Sequence, residues 1–226
     1  MYTSTIENYL KQLYLLEQRV SGKLVPTGKL ASSLGVTPGT ATLMVKTLAD
    51  SGLVDYESRA GVRLSEKGRK LALHVVRRHR LIEQFLVQVL GLDWSEVHEE
   101  AEVLEHAISD KVLNRIDTML GHPTFDPHGD PIPSPSGQLA KRQLRSLADC
   151  ETGQRVEVAR IENQDPQFLR FADERGLTPG RELVVTGRDD MADAVTIAPA
   201  GREAMVVGTA AAKRIYVTMA DDEDTP

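Results

Sequence analysis

The chain has 226 residues, 41% hydrophobic and 27% charged, with a formal net charge of −6, a composition of one or two packed domains that excludes a disordered or fibrous polymer. No run approaches the roughly 20 apolar residues of a membrane span and the first residues lack a signal-peptide pattern, so a soluble, cytoplasmic protein is expected. Cys150 is the only cysteine, which excludes an intramolecular disulfide and Cys-rich zinc modules, and aromatics at 4% weigh against stacking platforms for single strands. Residues 1–90 hold 13 Lys and Arg against 7 Asp and Glu, residues 91–120 hold 2 against 8, and residues 121–226 hold 12 against 18. A basic N-terminal part followed by an acidic strip and an acidic remainder points to different partners for different stretches.

In chain order, the apolar spacing from Thr5 to Glu17 predicts a helix, with Ser4 or Thr5 as its cap. Thr27 to Leu34 predicts a short second helix ending at Gly35. Thr37-Pro38 then caps a third, whose stripe of Ala41, Met44, Val45 and Leu48 runs to Ser51-Gly52. A small hairpin follows, Leu53 to Glu57 and Val62 to Leu64. Long helices are expected from Ser65 to about Leu90 and from about Ser95 to Leu120. Residues 121–138 carry five prolines and three glycines and read as connection, with a short helix expected over Leu139 to Leu147. Beyond Gly153, runs at Val156–Ile161, Leu183–Thr186, Ala194–Ile197, Ala204–Val207 and Arg214–Val217 predict a small β-barrel, with a helical turn at Pro166–Phe171. The acidic end, Asp221 to Asp224, is expected to fray.

Helix, turn, helix and hairpin between Thr27 and Leu64 describe a winged helix-turn-helix whose second helix enters the major groove of double-stranded DNA. Thr37, Pro38, Gly39, Thr40, Thr42 and Lys46 on that helix, with Arg59 and Arg63 in the hairpin, are the expected DNA contacts. In the acidic strip, helical spacing sets His98, Glu102, Glu105 and His106 on one face, and His79 and Glu83 stand four apart on the preceding helix. Imidazoles with carboxylates and no thiolate suit Mn²⁺ or Fe²⁺ first, with Co²⁺, Ni²⁺, Zn²⁺ or Cd²⁺ able to substitute in vitro. The zinc-protease pattern fails because Glu102 stands four after His98, and the di-iron pattern fails because Glu105, not His, stands three after Glu102. No P-loop or nucleophile elbow is present, so a non-enzyme is expected. His74 and His122 read as ordinary surface or half-buried histidines.

Several segments together resemble the diphtheria-toxin-repressor family of iron- and manganese-dependent transcriptional repressors. They are Glu7-Asn8-Tyr9-Leu10, Arg78-His79-Arg80-Leu81, Gly91-Leu92-Asp93, Val97 to Ala101, Glu105-His106 and His128-Gly129-Asp130-Pro131-Ile132-Pro133. The resemblance implies a homodimer with a mainly α N-terminal part and a small C-terminal all-β SH3-like barrel. It divides the chain into a winged helix-turn-helix (1–72), a helical metal-binding and dimerisation domain (73–140), a linker (141–151), the barrel (152–220) and a tail (221–226). It implies a regulatory metal site of Asn8, Glu102, Glu105 and His106. Asn8 departs from the Met or Asp of the family, and Lys11 stands where manganese-specific relatives can carry Glu, which argues against a tight binuclear centre there; Glu102 stands where iron-dependent relatives carry Cys, and so resembles the manganese branch. Two ancillary sets are implied: His79, Glu83 and His98 with Gln164 and Gln167 from the barrel, or the linker pair Asp126 and His128 with a helix Glu and Asp165. The function so implied is metal-dependent repression of metal-homeostasis genes. Its rivals are a winged-helix regulator answering to a small organic ligand, a metallohydrolase, and a metal-dependent activator.

Overall fold

A computed structural model describes residues 2–20, 22–162 and 165–220. The chain divides into two compact units, 1–79 with 105–108 and 133–138, and 80–104 with 109–132 and 139–226. The acidic end and Gln164 lie outside the described residues.

The first unit begins with α1 (Ser4–Arg19), capped by Thr3, whose hydroxyl accepts from the Ile6 N–H; the cap is one residue earlier than the sequence suggested. The helices α2 (Thr27–Ser33) and α3 (Pro38–Asp50) follow, α3 opening with the expected Thr37 cap and Pro38 in its first turn. The hairpin β1 (Val54–Glu57) and β2 (Gly61–Leu64) is antiparallel with Val54 opposite Leu64. Val25 adds a bridge to Val62. Gly61 sits there at φ 145°, where an added Cβ would lie 2.6 Å from the Val25 carbonyl oxygen, so the close approach requires glycine. Leu10, Leu13, Leu30, Val45, Leu48, Leu53 and Val62 form the buried centre, each contributing about 1.5–3 kcal/mol of apolar burial.

From α4 (Glu66–Gln88), residues up to His79 belong to the first unit and the rest to the second. The single helix expected over Ser95 to Leu120 is instead two, α5 (Val97–Leu104) and α6 (Asp110–Met119). No proline or glycine breaks it. Ser109 caps α6 by accepting from the Val112 N–H, and Glu105 and His106 occupy the turn, held by residues of the first unit described below.

The C-terminal sheet has six antiparallel strands in the order β3-β8-β4-β5-β6-β7. These are β3 (Arg145–Ser146), β4 (Arg155–Ile161), β5 (Glu182–Asp189), β6 (Ala194–Pro199), β7 (Met205–Gly208) and β8 (Ile215–Met219). Register shifts in β4 between Val158 and Arg160, and in β5 between Val185 and Gly187, are the bulges that let a small sheet curl over its core. The core includes Leu147, Val156, Val158, Leu169, Leu183, Ile197 and Val217, with Trp94 packed against it. The helix expected over Leu139 to Leu147 is absent: Arg145 and Ser146 pair with β8, and a single 3-10 turn, Leu147–Asp149, follows. Cross-strand pairing overrides local helix propensity there. The turn expected at Pro166 is a full helix, α7 (Pro166–Glu174), and a short α8 (Thr209–Ala212) lies between β7 and β8. Cys150 is buried, and its thiol, raised by that burial, lies 3.5 Å from the Ser146 carbonyl oxygen.

Candidate metal centres and nucleic-acid interface

In the first unit, α1 presents Glu7, Asn8 and Lys11 to the turn after α5. His106 Nε2 lies 2.7 Å from Asn8 Oδ1 and its Nδ1 lies 2.8 Å from Glu7 Oε2, while Glu7 Oε1 accepts from Arg78 at 2.7 Å. Glu105 is fully buried; its Oε1 accepts from the Lys11 ammonium at 2.6 Å and its Oε2 lies 2.6 Å from His79 Nδ1. Burial pushes the Glu105 carboxyl up, but the His79 hydrogen bond and the charges of Lys11 and His79 outweigh it and hold the group below its ordinary value. The same Oε1 is 3.4 Å from His106 Nε2. Asn8, Glu105 and His106, three of the four residues expected at the regulatory site, thus bring an amide oxygen and a carboxylate oxygen to one imidazole nitrogen, an O, O, N donor set that suits such an ion. Glu102 belongs to the second unit, where its carboxylate is 3.6 Å from His98 Nε2.

At the other end of α1, Glu17 Oε1 accepts from the Leu64 N–H at 2.6 Å, and its Oε2 pairs with Arg69. One helix thus carries part of the donor set near its start and fixes the base of the hairpin near its end. Glu7 entered the sequence reading only as part of a family segment and Glu17 only as a helix end, because each finds its partners far along the chain.

The second unit holds a different cluster. Ligand atoms of Glu83, Asp126 and His128, all buried, lie within 4.8 Å of one another. The loop geometry is built by Asp126 Oδ1, which accepts the N–H groups of His128 and Asp130, both at 2.9 Å. Gly129, at φ 87°, lets β4 come so close that a Cβ would lie 2.0 Å from the Ala159 carbonyl oxygen, and the His128 carbonyl accepts from the Ile161 N–H at 2.9 Å. The His128 ring stacks on Trp94 and its Nε2 donates to the Trp94 carbonyl at 2.8 Å. In the neutral ring this leaves a lone pair on Nδ1. That Nδ1 and Asp126 Oδ2 are buried without a hydrogen-bond partner, and Nδ1 lies 3.9 Å from Glu83 Oε2. The Asp126 carboxyl is raised well above its ordinary value by burial first and then by the charges of Asp130 and Glu83, against which Arg80 and the Asp130 N–H pull only partly. Two buried carboxylates and an imidazole lone pair converge, with the Arg80 guanidinium 3.5 Å from Asp126 Oδ2 and not hydrogen-bonded to it, so the donor chemistry fits a divalent metal ion.

Glu83 also meets His98, Oε1 to Nδ1 at 3.2 Å, so this one carboxylate faces members of both expected ancillary sets. Gln167 is exposed in the first turn of α7, and Asp165 is exposed as the cap of that helix, accepting the Gln167 N–H at 2.9 Å. His74 is half-buried, and His122 is exposed with Asp117 at 2.9 Å from its Nδ1.

On α3, Thr37, Pro38, Gly39, Thr40 and Lys46 are exposed. The Thr37 hydroxyl caps Thr40, and that of Thr42 donates to the Pro38 carbonyl. In the hairpin, Arg59 is exposed at φ 66° and Arg63 pairs with Asp55 at 3.1 Å. The sequence reading passed over Leu43, 69% exposed on the same helix, an apolar group suited to a thymine methyl.

Residues 1–62 match the family profile for the iron dependent repressor N-terminal DNA binding domain, and residues 65–134 match that for the iron dependent repressor metal binding and dimerisation domain. Residues 145–219 match the FeoA domain. The iron-dependent repressor IdeR of Mycobacterium leprae (strain TN) is 35% identical over 161 residues, 68% of this chain and 69% of that one. The chain belongs to this family of metal-dependent transcriptional repressors. Among solved members of the repressor family, a manganese-dependent transcriptional repressor in complex with manganese is 42% identical, covers 95% of this chain and 100% of its own, and superposes with a TM-score of 0.85. ScaR with bound Cd²⁺ is 32% identical over 95% of this chain and 99% of its own, with a TM-score of 0.77. Family membership supplies no enzyme class, and no helix among the described residues is long and apolar enough to cross a membrane.

Proposed function

We propose that this repressor is a cytoplasmic homodimer that binds a double-stranded operator when Mn²⁺ occupies its centres and so controls metal-homeostasis genes. One observation carries the choice of ion class: the buried Glu83, Asp126 and His128 set, rich in oxygen, free of thiolate and lacking a hydrogen-bond partner at Asp126 Oδ2 and His128 Nδ1. Hard carboxylate oxygens favour Mn²⁺ over the softer-ligand ions. A bound divalent ion supplies positive charge at the two donor sets. Glu83, Asp126 and His128 hold the second-unit set, and Glu105, His106 and Asn8 hold the first-unit one.

The residues of the chain do the rest. Glu105 anchors the start of α1 through Lys11 and His106 anchors it through Asn8 and Glu7, while Glu17 fixes its far end to Leu64 and Arg69. A shift of α1 is therefore felt at the base of the hairpin, and DNA and metal affinities are reciprocally linked. Support for a dimer comes from exposed apolar side chains at Val89, Leu90, Val103, Leu104, Val112 and Met119, at the end of α4 and on α5 and α6.

The test is duplex binding by fluorescence anisotropy at fixed salt, with Mn²⁺, Fe²⁺, Co²⁺ or Zn²⁺ titrated into chelated protein. Saturable operator binding that requires metal and is strongest with Mn²⁺ is expected, and it should be lost in the Glu102→Ala/His106→Ala double variant. Fe²⁺ selectivity would overturn the ion, and equal specific binding in chelator would overturn metal control altogether.

A further inference from the structure

The two donor sets differ in how closely a cation holds a donor oxygen: Lys11 is hydrogen-bonded to Glu105, whereas Arg80 stands 3.5 Å from Asp126 Oδ2 without a hydrogen bond. The Lys11 side chain is 4% exposed and that of Glu105 is 0% exposed, with Nζ 2.6 Å from Oε1. That oxygen is the one 3.4 Å from His106 Nε2, whose other neighbour is Asn8 Oδ1 at 2.7 Å. The ammonium therefore stands on the oxygen that a metal ion would share with His106 and Asn8. Charge is already balanced around it, since Lys11 faces Glu105 and Arg78 faces Glu7. In the second unit, by contrast, Asp126 Oδ2 and His128 Nδ1 find no hydrogen-bond donor.

We propose that Lys11 is a tethered cation that neutralises Glu105 when no metal ion is bound and competes with the ion for Oε1, thereby setting the metal concentration at which the first-unit centre fills. The inference rests on the metal-responsive reading above and deepens it. The physical ground is that a buried carboxylate stripped of its partner is strongly disfavoured, whereas exchanging one positive partner for another is not. A divalent ion entering this set gains only the difference between its attraction to Glu105 and that of the ammonium it displaces. At the second-unit set the ion exchanges a looser partner, Arg80 at 3.5 Å from Asp126 Oδ2, and that set fills at lower concentration.

The experiment uses the full chain carrying His128→Gln, which removes the second-unit imidazole, with and without Lys11→Met. Mn²⁺ alone is titrated by calorimetry, and thermal melting is followed in chelator and in saturating Mn²⁺. Lys11→Met should bind Mn²⁺ at least about tenfold more tightly, within the range over which the groups around a ligand move metal affinity. It should melt lower in chelator and regain the parent's melting point in saturating Mn²⁺. In a Glu105→Gln background the chelated deficit should vanish, because the charge Lys11 neutralises is gone. If Lys11→Met does not fold without metal, Lys11→Gln, which keeps a donor but no charge, is measured against the same criteria. Equal Mn²⁺ affinity with and without Lys11, or a melting deficit that persists in saturating Mn²⁺, overturns the competition and leaves metal sensing standing. Failure of both proteins to bind Mn²⁺ overturns the first-unit centre and the inference with it.

Discussion

Replacing Asp126 by Asn should have opposite effects on stability in chelator and in metal. The side chain is 1% exposed; Asn keeps Oδ1, and with it both hydrogen bonds from the His128 and Asp130 N–H groups that shape the loop. What changes is Oδ2, which lies 3.5 Å from Arg80 Nε, has no hydrogen bond, and stands, when ionised, beside the charge of Glu83. Because burial, Asp130 and Glu83 outweigh Arg80 and raise this carboxyl, the neutral isostere is the better-tolerated form without metal. Relief of a poorly compensated buried group is on the order of 1 kcal/mol, or roughly 2–4 °C in melting temperature for a chain of this size. With Mn²⁺ at 100 times Kd the parent gains about 2.7 kcal/mol from a site of this kind. An amide ligand that weakens binding about a hundredfold cuts that gain to about 0.4 kcal/mol. Differential scanning calorimetry in chelator and in Mn²⁺ should therefore show the variant melting above the parent in the first condition and below it in the second. A variant that melts lower in both conditions, or keeps the parent's full metal response, would refute the assignment of Asp126 as a ligand-bearing, uncompensated carboxylate.

Three further outcomes follow from the same geometry. Since the Asp126 carboxyl is raised in the folded state, the folded protein holds a proton that the unfolded chain has already lost over the window from the ordinary carboxyl value up to the raised one. The chelated parent's stability should therefore fall as pH rises through that window and flatten above it, a slope that Asp126→Asn removes from a series of melting curves. Gly129→Ala places a Cβ 2.0 Å from the Ala159 carbonyl at φ 87°, and should cost on the order of 2–4 kcal/mol; denaturation that leaves the variant within 0.5 kcal/mol of the parent, by order of magnitude a surface effect, would contradict the packing of this loop on β4. Lys46→Ala, which removes an exposed cation of α3, should weaken metal-activated DNA binding evenly across sequences and lower the salt slope by about one, read by anisotropy over a salt series.

The first unit was largely legible because its helix boundaries are written in local chemistry. Thr37-Pro38 is both a cap and a first-turn proline, and the pattern of Ala41, Val45 and Leu48 marks the buried side of α3. The break between α5 and α6 was not legible, since the strip from Ser95 to Leu120 contains no helix breaker. What ends α5 is tertiary: Glu105 is drawn to Lys11 and His79, and His106 to Glu7 and Asn8. The segment from Leu139 fails for a related reason. Arg142 lies 3.4 Å from the centre of the Phe125 ring and Arg145 pairs with Val217, so an apparently helical run is stretched across its neighbours.

At the metal centres the sequence showed donor types well and counter-charges poorly. His98 and Glu102, four apart on one helix, do meet, at 3.6 Å, because helical spacing alone brings them together. That Glu83 faces His98 with one oxygen and His128 with the other depends on a loop placed by Asp126 and Gly129, and no spacing rule reports it. Lys11 was visible as a departure from manganese-specific relatives, but not as an ammonium lodged on Glu105. The distinction matters because affinity follows from what an ion must displace as much as from which atoms receive it. Two donor sets of similar composition, one holding a lysine and the other presenting a carboxylate oxygen and an imidazole nitrogen with no hydrogen-bond partner, should then respond to metal at different concentrations.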